Sequence, residues 1–187
     1  MRHIKIIKSI SLIISLFLIT SCSNNSAMKP EDFKNKEPRL IIEEYLSGNV
    51  KAWGVLQNRS GKVTRQFSAD LNGTWDGKQL ILKEKFNWDD GEVQDREWTI
   101  NKIDENNYEG TAGDVVGKAK GYSYGPAFKF EYVLLVPVKG KEIKITFDDW
   151  IFKQDDRVAI NRATMTKFGF KVCLLYTSDA ADEHTGV

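Results

Sequence analysis

Between Val63 and Trp75, apolar or small side chains fall on every second position. Val63, Phe67, Ala69, Leu71, Gly73 and Trp75 share one face with Arg65; Thr64, Gln66, Ser68, Asp70, Asn72 and Thr74 make the other. A period of two over this length predicts a half-buried β-strand. The pattern resumes after Asp76-Gly77, a pair suited to a two-residue hairpin turn. Leu80, Leu82, Glu84, Phe86 and Trp88 then alternate with Ile81, Lys83, Lys85 and Asn87. That turn sets Trp75 opposite Lys78, Leu71 opposite Leu82 and Ala69 opposite Glu84. The loop Asp89-Asp90-Gly91 sets Trp88 opposite Glu92, and hence Glu84 opposite Arg96, Leu82 opposite Trp98 and Leu80 opposite Ile100. A slip of one residue turns every side chain over, so agreement of the apolar sets on one side argues for this register.

Further strands are predicted at 108–122, 127–136, 141–152 and 157–172. With "AWGVLQ" (52–57) that makes about eight strands in hairpin order. "PRLIIEEYLSG" (38–48) reads as a short helix, opened by Pro38 and stopped by Gly48. No helix separates the later strands, so parallel crossovers are not expected. The predicted fold is all-β: an antiparallel up-and-down meander closed into a barrel, which removes the edges an open meander exposes.

The inward face carries charge. If Lys102 pairs with Tyr108, Asp114 falls opposite Arg96, and an arginine lies between two carboxylates. If Ile103 pairs with Tyr108 instead, Asp114 points outward; the first register is preferred because it puts Tyr108 and Val116 inside. The hairpin around Gln154-Asp155-Asp156 pairs Asp148 with Arg162 and Asp149 with Asn161; either face of it suits the interior. Three readings follow. Glu84 and Arg96 form an ion pair that fixes register. Alternatively, Glu84, Arg96, Asp114, Tyr132, Asp149, Asn161 and Arg162 supply the polar end of a ligand cavity. A void beside small Ala69, with Arg96 at its wall, suits an acyl chain with a polar or anionic head. In the third reading Glu84 is a general acid partnered by Asp114 or Asp149, but a neighbouring arginine lowers a carboxylate's pKa, the wrong direction for an acid. Trp53, Trp75, Trp88 and Trp98 are expected in the core, with Trp75, Trp98 and Trp150 structural. The acidic turns lack the spacing of a calcium loop, so no metal is expected.

The chain ends differ from this body. Residues 1–22 combine Arg2, Lys5 and Lys8 with the apolar run "ISLIISLFLI" and end in Ile19-Thr20-Ser21-Cys22. They read as a secretion signal. The last four resemble a bacterial lipobox, which implies lipidation at Cys22, and Ser23 after it implies the periplasmic face of the outer membrane. Residues 23–37 are polar and aperiodic, the composition of a flexible tether. The strand pattern lapses after Val172, and "CLLYTSDAADE" resembles a translated sequencing-adapter fragment; 173–187 are read as a tail outside the domain at 38–172. That domain holds no histidine and no cysteine, which excludes Ser-His-Asp and Cys-His catalysis and the usual zinc sites. With 27 basic against 26 acidic residues, no basic excess points to nucleic acid.

"YLSGNVKAWG", "GTWDGKQLILKEKFNWDDG", "REW", "YEGTAGDVVGKAKG", "DDWIF" and "INRATMTKFG" together resemble a family of bacterial lipoproteins known as domain of unknown function 3833. The resemblance spans about 38–172 and includes Glu84, Arg96, Trp98, Asp114, Asp149, Trp150, Asn161, Arg162 and Lys167. Members of that family usually continue with another strand after the position of Val172, and this chain departs from the pattern there, which agrees with reading 173–187 as a tail. The resemblance implies no assigned activity. Gly73-Thr74-Trp75 resembles the Gly-x-Trp of lipocalin-type barrels, implying a calycin-like fold. The function expected is a membrane-anchored, non-catalytic binder of a small apolar or fatty-acid-like ligand that needs no cofactor. The alternatives are a structural envelope lipoprotein with a filled barrel, and a histidine-free hydrolase of glycans or lipids.

Overall fold

The computed structural model describes residues 27–138 and 140–181. Ten antiparallel strands close into a barrel in chain order. They are β1 (Gly48–Asn58), β2 (Val63–Trp75), β3 (Gln79–Trp88), β4 (Val93–Lys102), β5 (Asn107–Thr111), β6 (Ala119–Tyr124), β7 (Ala127–Val138), β8 (Lys141–Lys153), β9 (Val158–Lys167) and β10 (Phe170–Ala181). The all-β, up-and-down barrel agrees with the alternation in the sequence. The count of about eight strands does not. The expected strand at 108–122 is two, because 112–118 leaves the ladder around Gly117, whose φ is +74°. This segment stays on the barrel wall: Val116 N–H donates to the Val133 carbonyl (2.8 Å) and Leu135 N–H to that of Asp114 (2.9 Å).

The other added strand corrects the reading of the chain's end. Residues 173–181 are not a tail outside the domain. They pair with β9 from Cys173↔Met165 to Ala180↔Val158, and with β1 from Cys173↔Asn58 to Ala181↔Val50. Without them both neighbours would present open edges. The alternation was hard to see because β10 turns Thr177 and Asp179 inward, beside Leu175.

Two hairpin registers shift by two residues, which preserves the faces. On β2–β3, Leu71 faces Glu84, Gly73 faces Leu82 and Ala69 faces Phe86. The loop is longer than two residues because Asp76 Oδ1 accepts the N–H of both Lys78 and Gln79 (2.8 and 2.7 Å). On β8–β9, Asp149 faces Ala163 and Arg162 faces Trp150. Asp155 Oδ1 similarly accepts the N–H of Arg157 and Val158, widening that turn (both 2.8 Å). The β3–β4 register, with Glu84↔Arg96, Leu82↔Trp98 and Leu80↔Ile100, is as the sequence predicts, as is Lys102↔Tyr108.

One end of the barrel is plugged. The helix expected in 38–48 is a single turn, α1 (Ile42–Tyr45), ending before Gly48 at φ +85°. It buries Leu40, Ile42, Tyr45 and Leu46 against Leu80, Leu82, Ile100 and Phe128. Gly73 is required here, since a Cβ on it would lie 1.8 Å from the Leu46 carbonyl oxygen. Buried Glu43 accepts a hydrogen bond from Tyr108 Oη (2.9 Å) and pairs with Lys102 Nζ. The tether reading also needs correction within the described residues. Pro30 is buried in a 3₁₀ turn (Pro30–Phe33), and the Phe33 ring packs on Trp150 and Phe152 at 6.0 and 5.6 Å. The signal segment, Cys22 and residues 182–187 lie outside the described residues.

Candidate functional site

The inward positions of β3, β4, β7, β8, β9 and β10 bring polar groups to one level inside the barrel. Arg96 on β4 is the centre. Its Nη1 lies 3.7 Å from Glu84 Oε2 on the neighbouring strand. Its Nε and Nη2 donate to Asp114, with Nε at 3.2 and 3.1 Å from the two carboxylate oxygens and Nη2 at 2.8 Å from Oδ2. The fork of the guanidinium is thus committed to Asp114, the geometry that arginine and carboxylate favour. Arg96 reaches Glu84 by charge alone; the Glu84 carboxyl also takes a hydrogen bond from the Trp98 indole, while its buried Oε2 accepts none.

A second cluster stands on β7–β9. Asp149 accepts hydrogen bonds from Tyr132 Oη (3.1 Å) and from Asn161 Nδ2. Asp149 and Asn161 are not direct ladder partners, yet both face inward and meet diagonally, which the two-residue register shift permits. Asp179 on β10 is 6% exposed, and among the described residues its carboxylate receives no hydrogen bond.

These groups share a cavity of about 130 Å³. Its polar lining is Glu84, Arg96, Tyr132, Asp149, Asn161 and Asp179, with Thr177 alongside. The apolar lining includes Ala69, Leu82, Phe86, Trp98 and Phe130. The aromatic wall is stiff: Trp98 meets Phe130 and Tyr132 at 5.1 and 5.2 Å, and Tyr132 stacks on Phe147 at 4.9 Å. Burial, which penalises the charged form, pushes Glu84 up to about 7 despite the attraction of Arg96. Burial likewise pushes Asp149 up to about 6, although Asn161 and Tyr132 pull it down, and Asp179 up to about 7. It raises the Tyr132 hydroxyl as well. The sequence-based expectation that Arg96 sets the pKa of Glu84 is therefore corrected: desolvation outweighs it.

Of the seven predicted ligand residues, Glu84, Arg96, Tyr132, Asp149 and Asn161 line the cavity and Asp114 supports it through Arg96. Arg162 does not. It lies opposite Trp150 on the outer face. Trp98 is a cavity wall, Trp75 packs half-buried against the core, and Trp150 is buried outside the barrel beneath Phe33. Trp53, expected in the core, is 52% exposed because β1 turns its odd-numbered residues outward. Sequence reasoning missed Asp179 and Thr177, which lay in the excluded segment, and the Glu43–Lys102 pair, since "IIEEY" offers no sign that its first glutamate turns inward.

A family model described as protein of unknown function (DUF3833) matches residues 16–178, running past Val172 into β10. No curated protein matches the chain. Among solved structures, the fold is similar to that of the S-type phycobiliprotein lyase CPES from Guillardia theta. The TM-score is 0.56 at 10% identity, over 76% of this chain and 92% of that one. It is also similar to a protein of unknown function from the DUF3598 family of Nostoc punctiforme. There the TM-score is 0.58 at 14% identity, over 79% of this chain and 51% of the other. These likenesses place the fold among lipocalin-like barrels and carry no activity with them.

Proposed function

The chain belongs to the DUF3833 family of proteins of unknown function, and from its barrel interior we propose a non-catalytic role, the binding of one small and mostly apolar molecule. The observation that carries this reading is the cavity, walled by aromatic rings and converging on a polar cluster at one level. Ligand sites have this composition, an apolar lining with few placed polar groups.

Size and charge narrow the ligand further. At about 130 Å³ the cavity is close to the ~150 Å³ that accepts a benzene ring, and below the ~300 Å³ where drug-sized pockets begin. A ring or the end of a chain fits; a whole fatty acid does not. Arg96, the one cation in the lining, is already engaged by Asp114 and Glu84. An anionic head group therefore has no free partner and meets three carboxylates. The Glu84 oxygen without a hydrogen bond favours a donor. The reading is a ring-sized ligand with a hydrogen-bond-donating, neutral or cationic end. Lipidation at Cys22 and residence at the periplasmic face of the outer membrane remain part of the proposal, supported by residues 1–22.

The test is a titration at pH 7 with benzylamine, benzyl alcohol, toluene and benzoate, read by thermal shift and ligand NMR. The expected order is benzylamine and benzyl alcohol above toluene, with benzoate last, and a best affinity near 10⁻⁴ M, about −5.5 kcal/mol. Ala69→Trp, which fills the cavity, should abolish binding. Benzoate binding best would refute the charge reading; no binding by any probe would favour a filled, structural barrel.

A further inference from the structure

The β9–β10 hairpin turns through Phe168-Gly169, with Lys167 paired to Phe170. Both loop residues have positive φ, +52° for Phe168 and +80° for Gly169. Phe168 is the one non-glycine with positive φ among the described residues. Such a turn favours Asn or Gly in its first position, and a bulky side chain there is an outlier. Phe168 gains no burial in return: it is 89% exposed, and Phe170 is 70% exposed. The fold does not explain two phenylalanines at the tip of a hairpin.

The surroundings are basic. Lys167 and Lys171 flank the rings, and Lys167 Nζ lies 5.4 Å from the Phe168 ring centre. The neighbouring β1–β2 hairpin stands at the same end, since Asn58 pairs with Cys173. Its tip adds exposed Arg59, Lys62 and Val63. Among the described residues none of these four cations forms an ion pair. Of the three acids in the β3–β4 turn, Asp90 and Glu92 are held by Arg65 at 2.7 and 2.9 Å, and exposed Asp89 is not.

We propose that the Phe168–Phe170 tip, with Arg59, Lys62, Lys167 and Lys171, is a docking edge for an anionic lipid surface. Aromatic rings at the outermost point of a hairpin enter the headgroup layer, while long basic side chains keep their charges at its surface. The charge complementarity selects anionic over zwitterionic lipid. A projecting tip, rather than a groove, disfavours a nucleic-acid strand, which needs a channel for its backbone. The edge lies at the end of the barrel opposite α1, since β1 runs from α1 to the β1–β2 hairpin.

Residues 1–26 carry basic and apolar positions of their own, so bulk partition is not enough, and the experiment reads the tip directly. Amide hydrogen exchange of the full-length chain is followed alone, with phosphatidylcholine vesicles, and with vesicles containing phosphatidylglycerol. Exchange at 167–171 should slow only with the anionic vesicles. Phe168→Asn/Phe170→Thr should abolish that slowing and reduce partition about tenfold, with a Tm no lower than wild type, because Asn suits the turn better. Lys167→Glu/Lys171→Glu keeps both rings and should weaken partition by at least about fivefold per lysine. Unchanged exchange at the tip with anionic vesicles overturns the proposal. So does slowing in concentrated protein without vesicles, which would make the tip a contact between copies, or slowing with a single-stranded oligonucleotide but not vesicles.

Discussion

At the scale of single residues, Arg96 determines how the interior balances its charge. It holds Asp114 by hydrogen bonds and Glu84 by charge at 3.7 Å. Removing it leaves two carboxylates without a cation. Arg96→Leu should cost about 3–5 kcal/mol in urea unfolding at pH 7, as for a broken buried pair. Glu84→Gln should cost nothing at pH 7 and is expected to stabilise, because burial penalises the ionised carboxyl that Gln replaces. Equal costs for the two substitutions would mean that Glu84 is fully ionised. The pH dependence has a definite sign. Glu84 and Asp149 titrate in the folded state at about 7 and about 6, above their ordinary values. Between about pH 4.5 and 7 the folded chain keeps protons that the unfolded chain has released, so stability falls as pH rises. Glu84 alone contributes about 3 kcal/mol to that fall. The carboxylates with lowered pKa, such as Asp76, Asp104 and Asp155, are ionised in both states across this window and do not mask it. Glu84→Gln should make the profile shallower without levelling it, because Asp149 and Asp179 still titrate in the same direction; stability rising from pH 5 to 7 would contradict the assignment.

At the scale of elements, β10 closes the ring, and a chain ending at Val172 should lose the cooperative transition or show a Tm lower by more than about 10 °C, with β1 and β9 exposed to aggregation. An unchanged melt would show that 173–181 contribute nothing to the barrel. Gly73→Ala tests the plug. A Cβ 1.8 Å from the Leu46 carbonyl forces backbone apart, and a loss of about 3 kcal/mol is expected from that mechanism, measured by denaturant unfolding. These two elements also mark how far the sequence could be read. The hairpin from Leu80 to Ile100 was legible because Leu80, Leu82 and Phe86 must all face one way, and only one register of Trp98 and Ile100 agrees. The polar cluster followed from that register, since Glu84 and Arg96 sit within the same alternation. Loop lengths were not legible, because they depend on Asp76 and Asp155 capping backbone N–H groups. Strand β10 was hidden because its inward residues are polar. The docking of Phe33 on Trp150 and Phe152 was hidden because an isolated aromatic in a polar stretch has no period.

At the scale of the whole molecule, the barrel is plugged at one end by α1 and carries an acidic, ring-sized space at mid-height. The same groups that make the empty barrel weaker as pH rises should make it a better host for a cation. Below about pH 5 Glu84, Asp149 and Asp179 hold protons, and the interior is close to neutral. Near pH 8 they have lost them, Arg96 and Asp114 cancel, and an ammonium group entering the cavity relieves the repulsion. Ligand binding and proton release are then linked, and the ligand should stabilise most where the empty protein is weakest. At 100 times its dissociation constant a ligand adds about 2.7 kcal/mol. Benzylamine at fixed concentration should therefore raise Tm more at pH 8 than at pH 5, while benzyl alcohol, uncharged throughout, should show a smaller difference. In Asp149→Asn, with its hydrogen-bond partners Tyr132 and Asn161 intact, the benzylamine shift should lose part of its pH dependence and the benzyl alcohol shift should not. If benzylamine stabilises equally at both pH values, the interior carboxylates do not form the polar end of the site.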